Sequence, residues 1–204
     1  MAVDYFTKWV EAKPMRTVDQ YDVITFIKDL MCRFGIPQSI TVDNGTVFDS
    51  VLVREFVGEY GVSLIHSTPY YAQYNGQVEA VNKQIKKGIQ KAIENNPREW
   101  HNILLDVLWA YRTSKRSSTG TTPYALVYGH DAVLPVKIGV KSLRVKNQND
   151  LTNCQYQQAM NMELEDIDEQ RIRALNSIQL QKKQAAKCYN KRVQHRTFDE
   201  GDLV

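Results

Sequence analysis

Residues 39–45 read Ser-Ile-Thr-Val-Asp-Asn-Gly, and the rest of the chain is best understood from this stretch. Its β-branched residues, bounded by turn residues, predict a short buried strand that ends at Asp43. The Asn44-Gly45 pair predicts a turn directly after that strand. Open α/β sheets bind ligands outside the carboxyl ends of their strands, so an acid here is expected to face a crevice. Asp43 is therefore the first candidate site residue.

A second acid follows after an intervening segment of 35 residues, where Gly76-Gln-Val-Glu79 opens a basic helix. Glu79, Lys83 and Lys86 recur at i, i+4 and i+7, so they share one face of that helix. Carboxylates hold hard divalent cations, which activate water and stabilise a leaving oxygen. Such a face suits a metal site beside a phosphodiester. The alternative is that Asp43 only shapes its turn and that Glu79 pairs with Lys83 on a solvated helix.

Around these two acids the sequence resembles the catalytic core of retroviral-type integrases, and in particular the gypsy-type long-terminal-repeat retrotransposons. The resemblance rests on Thr41-Val-Asp-Asn-Gly-Thr-Val-Phe48, on the interval to Glu79, and on Tyr74-Asn-Gly-Gln-Val-Glu-Ala-Val-Asn-Lys83. Four further motifs support it and extend it over nearly the whole chain: Asp4-Tyr-Phe-Thr-Lys-Trp-Val-Glu-Ala12, Leu108-Trp-Ala-Tyr-Arg-Thr113, Thr122-Pro-Tyr-Ala-Leu-Val-Tyr-Gly129, and Tyr189-Asn-Lys-Arg-Val193 followed by Phe198-Asp-Glu-Gly-Asp-Leu-Val204.

The resemblance implies an α/β, ribonuclease-H-like mixed sheet flanked by helices, and three acids that bind two Mg²⁺ or Mn²⁺ ions. It implies that Asp43 and Glu79 each hold a metal, and that Asn75 touches the DNA end. Tyr74 belongs to an aromatic loop whose rings offer stacking faces to unpaired DNA. Lys83 and Lys86 bind phosphates as point charges. DNA and further copies of the chain are the expected partners, without a membrane or a small-molecule substrate.

One departure from the family concerns its first acid. In the family that acid lies on a strand upstream of the segment that residues 1–9 resemble, so on this alignment Asp4 does not replace it. The absent strand would lie centrally in the sheet and leave two apolar edges unpaired. We therefore expect a truncated core that binds DNA, is inactive alone and is marginally stable. Two alternatives remain: a relic or domesticated module for DNA binding or assembly, and a nuclease that uses Asp4 with Asp43 and Glu79.

The charge distribution supports a nucleic-acid partner. The 204 residues carry a net charge of +3, but residues 1–79 are acidic and residues 80–150 are strongly basic. A basic segment directly after the candidate site is the electrostatic footprint of a nucleic-acid surface, although a solvated basic face is the simpler explanation. Three widely spaced cysteines and four histidines show no zinc-ligand spacing, so the cysteines are expected to be reduced and mostly structural in an intracellular protein that is nuclear if functional.

The predicted domains are a catalytic core at 1–131, a linker at 132–150, a helical extension at 151–195 and the start of a barrel domain at 196–204. Thr17 is the predicted cap of the first helix. In the extension, residues from Met160 to Cys188 recur at alternating spacings of four and three, apolar or small except for polar interruptions at Arg171 and Gln181, and we call them the heptad stripe. It predicts one long helix that either self-associates or packs on the core. The basic loop at 114–120 either contacts DNA or is solvated.

Overall fold

The computed structural model of the chain describes residues 1–67, 76–93, 99–133 and 152–191. The chain forms two compact units, one of Met1–Tyr5 and Val10–Trp109, the other of Phe6–Trp9 and Ala110–Val204. The elements run β1 (Ala2–Val3), β2 (Val10–Glu11), α1 (Gln20–Phe34), β3 (Ser39–Val42), α2 (Val51–Glu59), β4 (Ser63–His66), α3 (Gly76–Ala92), α4 (Trp100–Thr113), α5 (Pro123–Tyr128) and α6 (Asn153–Asn190). This order of strands and helices confirms the predicted α/β class.

In the first unit, α1 and α2 pack together over β3 and β4. The shared core consists of Val23, Ile27, Met31, Val53, Val57 and Val62, with Ile40 and Leu64 packed against it. The start of α1 differs from the prediction, because its N-cap is Asp19 and not Thr17. Asp19 and Asp22 form a reciprocal capping box, which satisfies two backbone N–H groups at once and is therefore the stronger cap.

The strands form two separate pairs. β1 and β2 are antiparallel, with Ala2 opposite Glu11, whereas β3 and β4 are parallel, with Val42 opposite His66. Both strand directions occur, as a mixed sheet requires. No strand within the described ranges joins the two pairs, so the sheet is divided between them, as expected from the departure at the first strand.

α3 and α4 cross at very close range in the first unit. A Cβ atom on Gly88 would lie 2.7 Å from Cγ1 of Val107, so only glycine fits this crossing without a shift. Val81 and Ile85 of α3 are buried, as are Leu104 and Leu108 of α4. These residues belong to the apolar stripes that the sequence predicts for both helices.

The second unit is built around Trp9, α5 and the loop before it. Trp9 is buried and lies against Tyr124, Tyr128 and the guanidinium of Arg112. Thr122 caps α5 with Pro123 in its first turn.

In the loop at 114–120, Arg116 is partly buried and packs within the chain, whereas contact of the loop with DNA stays a prediction. The guanidinium of Arg116 lies 3.7 Å from the ring centre of Tyr111 and donates to the Tyr111 carbonyl oxygen at 2.7 Å. Burial lowers the pKa of Arg116, with a smaller opposing contribution from Tyr111. This arginine holds the loop in place.

α6 is a single helix of 38 residues whose middle packs inside the second unit. Ala174 and Ile178 of the heptad stripe are buried, and Gln181 donates to the carbonyl oxygen of Ser117 at 2.8 Å. Ile167 packs closely against Gly129. A Cβ atom added to Gly129 would lie 2.5 Å from Cδ1 of Ile167. Of the two predictions for this stripe, packing within the chain is the one observed, whereas self-association stays a prediction. The predicted domain boundaries also stay predictions.

Two further findings concern the chain as a whole. The three cysteines are free, but all are exposed, so they do not serve the core as expected. Among the described helices, none combines the length and the apolar character that crossing a membrane requires.

Candidate nucleic-acid interface

Asp43 lies immediately beyond β3, at the edge where the two parallel strands end. The register pairs Val42 with His66, and the Ser67 N–H donates to the Val42 carbonyl oxygen at 2.9 Å, so β3 and β4 end level. The Asp43 side chain is exposed and accepts a hydrogen bond from the Gly45 N–H at 3.2 Å. The predicted turn is therefore present, and it holds the Asp43 carboxylate at the carboxyl end of the strand.

His66, Asp49 and Arg54 form a polar cluster at the same edge, which no sequence pattern indicated. His66 Nε2 lies 3.8 Å from Asp49 Oδ1, and the Arg54 guanidinium donates to the same oxygen. This hydrogen bond and the charge of Arg54 hold the pKa of Asp49 below its ordinary value. Only the register of β3 with β4 brings His66 to this edge. Local sequence patterns do not reveal such a register.

The second candidate acid and the two lysines lie on α3. Glu79 is in the first turn of this helix, where a negative charge is favoured by the helix dipole. Glu79, Lys83 and Lys86 are all exposed, whereas Val81 and Ile85 face inward. We refer to Glu79, Lys83 and Lys86 as the α3 polar face. It confirms the helical spacing on which the sequence interpretation rests.

Asp4, the alternative first acid, follows β1 and is exposed. Its backbone carbonyl oxygen accepts a hydrogen bond of 3.5 Å from Gln77 Nε2, which places it beside the first turn of α3. Asp4, Asp43 and Glu79 are all among the residues that the structure describes. No three acids, histidines or cysteines in that part of the chain come together as a group that could hold a metal ion.

The remaining candidate residues, Tyr74 and Asn75, lie outside the described residues.

Within the described residues, the donor set of a two-metal site is incomplete. Two bound cations need several carboxylate oxygens that converge on one point. Asp43 and Glu79 supply oxygens of the right kind, but no group of three possible ligands forms within the described ranges.

Comparison with known sequences relates the chain to retroviral polyproteins. It is 34% identical over 130 residues to the Gag-Pol polyprotein of woolly monkey sarcoma virus, which covers 62% of this chain and 8% of that polyprotein. It is 31% identical over 159 residues to the Gag-Pol polyprotein of avian reticuloendotheliosis virus, covering 77% of this chain and 14% of the polyprotein. The chain thus spans a small part of these relatives. No protein-family model matches it.

Comparison with solved structures identifies the fold. The simian T-cell lymphotropic virus intasome in complex with the PP2A regulatory subunit B56 gamma aligns with a TM-score of 0.56 at 21% identity, over 65% of this chain and 48% of that one. The integrase catalytic core domain of HTLV-2, solved with magnesium in a trimeric form, aligns with a TM-score of 0.50 at 25% identity, over 62% and 81%.

The fold and the position of Asp43 define an α/β core with an acid at the carboxyl end of a strand. More particularly, the chain is related to retroviral pol polyproteins and has the fold of an integrase catalytic core. The gypsy-type assignment stays a prediction.

Proposed function

We propose that this chain is an integrase core of retrotransposon origin that binds DNA through the α3 polar face and does not transfer strands by itself. The observation that carries the proposal is the exposure of Lys83 and Lys86 on the same helical face as Glu79. A lysine ammonium contacts phosphate without reading bases. Binding is therefore expected to be tolerant of sequence and sensitive to salt.

The relatives support a DNA partner and a divalent metal for the parent enzyme. One structural neighbour is an intasome and another is an integrase core with magnesium. For this chain we infer that Asp43 and Glu79 are the two residues that would hold Mg²⁺ or Mn²⁺. When bound, the metal would supply Lewis-acid stabilisation of phosphoryl transfer. The hydrogen bond from the Gly45 N–H fixes the Asp43 carboxylate. One metal ligand would therefore be oriented before a metal binds.

The neighbours also support assembly into homo-oligomers, since one of them is described as trimeric. We infer that this chain assembles with further copies on DNA. Sedimentation with and without DNA measures this, and a chain that stays monomeric on DNA at all concentrations would contradict it.

The DNA-binding proposal is tested by changing Lys83 and Lys86 together to alanine. The loss of two phosphate contacts should weaken duplex binding and reduce the slope of log K against log salt by about 2, at roughly 0.9 per contact. The matched control changes Lys183 and Lys187, which are exposed on α6. Fluorescence anisotropy at several salt concentrations measures both. Equal effects of the two double variants would refute a specific role for the α3 polar face.

The absence of strand transfer is tested separately. Glu79→Gln should leave DNA binding intact, because it keeps both lysines. With magnesium and a DNA end, we expect no strand-transfer product from the chain alone. Turnover that disappears in Asp43→Asn would show a working catalytic site and overturn this part of the proposal. A chain that binds DNA but catalyses no strand transfer also agrees with the relic alternative. That alternative differs from our proposal in the evolutionary origin of the chain and not in its chemistry.

A further inference from the structure

A groove opens in the first unit where α3, α4 and the segment after β2 meet. Its volume is about 410 Å³. The apolar part of its lining includes Ile85, Ile89 and Leu104, with the indole of Trp100 at one side. Trp100 is 38% exposed, so part of its ring is accessible from solvent. An aromatic side chain beside aliphatic ones suits a flat apolar ring.

The rim of the groove carries positive charge without any acid. Its polar lining residues are Lys13, Asn82, Lys86 and Gln90. The occupant is therefore expected to be anionic or to carry hydrogen-bonding edges next to an apolar surface. Lys86 belongs to this rim and to the α3 polar face at the same time. The groove thus continues the surface on which we place the DNA phosphates.

We propose that this groove receives one unpaired nucleobase of a single strand, stacked on Trp100, with the adjoining phosphate bound by Lys86 and Lys13. The inference rests on the proposed DNA binding and adds a preference for unpaired strands. Base stacking on an aromatic side chain tolerates any base, because every base has a π face. Asn82 and Gln90 offer donors and acceptors to the base edge.

The size of the groove favours a nucleotide over a peptide helix. Small-ligand pockets measure roughly 300–1,000 Å³, and this groove lies near the lower limit. A helix laid in a groove needs a row of apolar contacts over several turns. The two lysines among the lining residues instead match a single anionic group attached to a flat ring.

The test compares two tryptophans of α4. Trp100 and Trp109 are exposed to 38% and 41%, and Trp109 does not line the groove. Trp100→Ala should weaken the binding of an oligodeoxythymidine strand by roughly 5- to 150-fold, the range expected for loss of one stacked base. Trp109→Ala should leave it unchanged. Trp100→Leu keeps an apolar side chain without a π face, and it should weaken binding even if the alanine variant fails to fold.

A second readout separates this inference from the proposed function. Stacking quenches indole emission, so the oligodeoxythymidine strand should quench the wild type and the Trp109→Ala variant but not the Trp100→Leu variant. Duplex DNA should bind all these variants equally through the α3 polar face. If duplex binding fails while Trp100-dependent single-strand binding persists, only the proposed function is wrong. If Trp100→Leu binds the single strand as the wild type does, the groove inference is wrong. The groove inference would also be wrong if a glutamate-rich peptide changed the emission of Trp100 and the oligodeoxythymidine strand did not.

Discussion

Asp43 and Gly45 are coupled through one hydrogen bond. The Gly45 N–H is 3.2 Å from Asp43 Oδ1, and a Cβ atom on Gly45 would lie 3.0 Å from the same oxygen. Any other residue at position 45 would therefore press on the carboxylate that it now orients. The sequence reveals this arrangement because both partners lie within three residues of each other.

Tyr111 gives a prediction for alkaline pH. It is only 7% exposed, and burial raises its pKa above the ordinary value of 10.0 despite an opposing effect of Arg116. The folded state therefore holds the phenolic proton more tightly than the unfolded state. This stability is complete below about pH 10 and is lost as the pH rises through the raised pKa. Melting temperatures between pH 8 and 11 should fall more steeply for the wild type than for Tyr111→Phe.

The control for Tyr111 is Tyr189→Phe on α6, since Tyr189 is 63% exposed. Its melting curve should follow the wild type over the same pH range. Equal alkaline slopes for the wild type and Tyr111→Phe would show that burial of this hydroxyl does not affect stability.

Not every residue could be placed from the sequence. The basic composition around Arg116 suggests solvent or DNA, yet its guanidinium packs on Tyr111. The choice between Thr17 and Asp19 as a cap depended on the reciprocal bond from Asp22. His66 is close to the candidate site only because β4 pairs in parallel with β3. In each case a partner outside the local pattern decides the outcome.

At the scale of elements, the crossing of α3 and α4 depends on Gly88. Alanine normally stabilises a helix interior by roughly 0.5–1 kcal/mol relative to glycine. At Gly88 the added methyl would meet Val107 at 2.7 Å, and overpacking costs typically 1–3 kcal/mol. We expect Gly88→Ala to lower the stability by about 1 kcal/mol net, or the melting temperature by about 2–4 °C. Chemical denaturation measures the change directly.

Gly58→Ala is the matched control for Gly88→Ala, because Gly58 lies within α2 with nothing near its missing Cβ. It should raise the stability by roughly 0.5–1 kcal/mol. Combining Gly88→Ala with Val107→Ala should recover part of the loss. If Gly88→Ala and Gly58→Ala raised the stability equally, α3 and α4 would not cross as closely as described.

The helices follow closely from the sequence, whereas the sheet does not. Residues at helical spacing predicted α3 and α6, because each helix satisfies its backbone within itself. Strand pairing joins residues that are far apart in the chain. Local patterns therefore indicated the strands and their order, whereas their division into two pairs was expected only from the family resemblance.

For the whole molecule, this division predicts weak cooperativity. Within the described residues, β1 and β3 each have a single pairing partner, and buried unpaired backbone groups cost about 1–3 kcal/mol each. Several such groups rival a total stability of roughly 5–15 kcal/mol. Scanning calorimetry of the purified monomer should show a broad transition, with an enthalpy well below the usual value of about 0.7 kcal/mol per residue. Repeating the scan at several concentrations separates self-association from this effect. A sharp, concentration-independent transition of full enthalpy would contradict the prediction.

The length of α6 limits what oxidation can do to the protein. Cys154 and Cys188 are both exposed and lie near opposite ends of this helix. At 1.5 Å per residue their Cα atoms are about 51 Å apart, whereas a disulfide tolerates at most about 7 Å. The two thiols of one molecule therefore cannot meet while the helix is intact. A covalent bond between Cys154 and Cys188 must link two molecules.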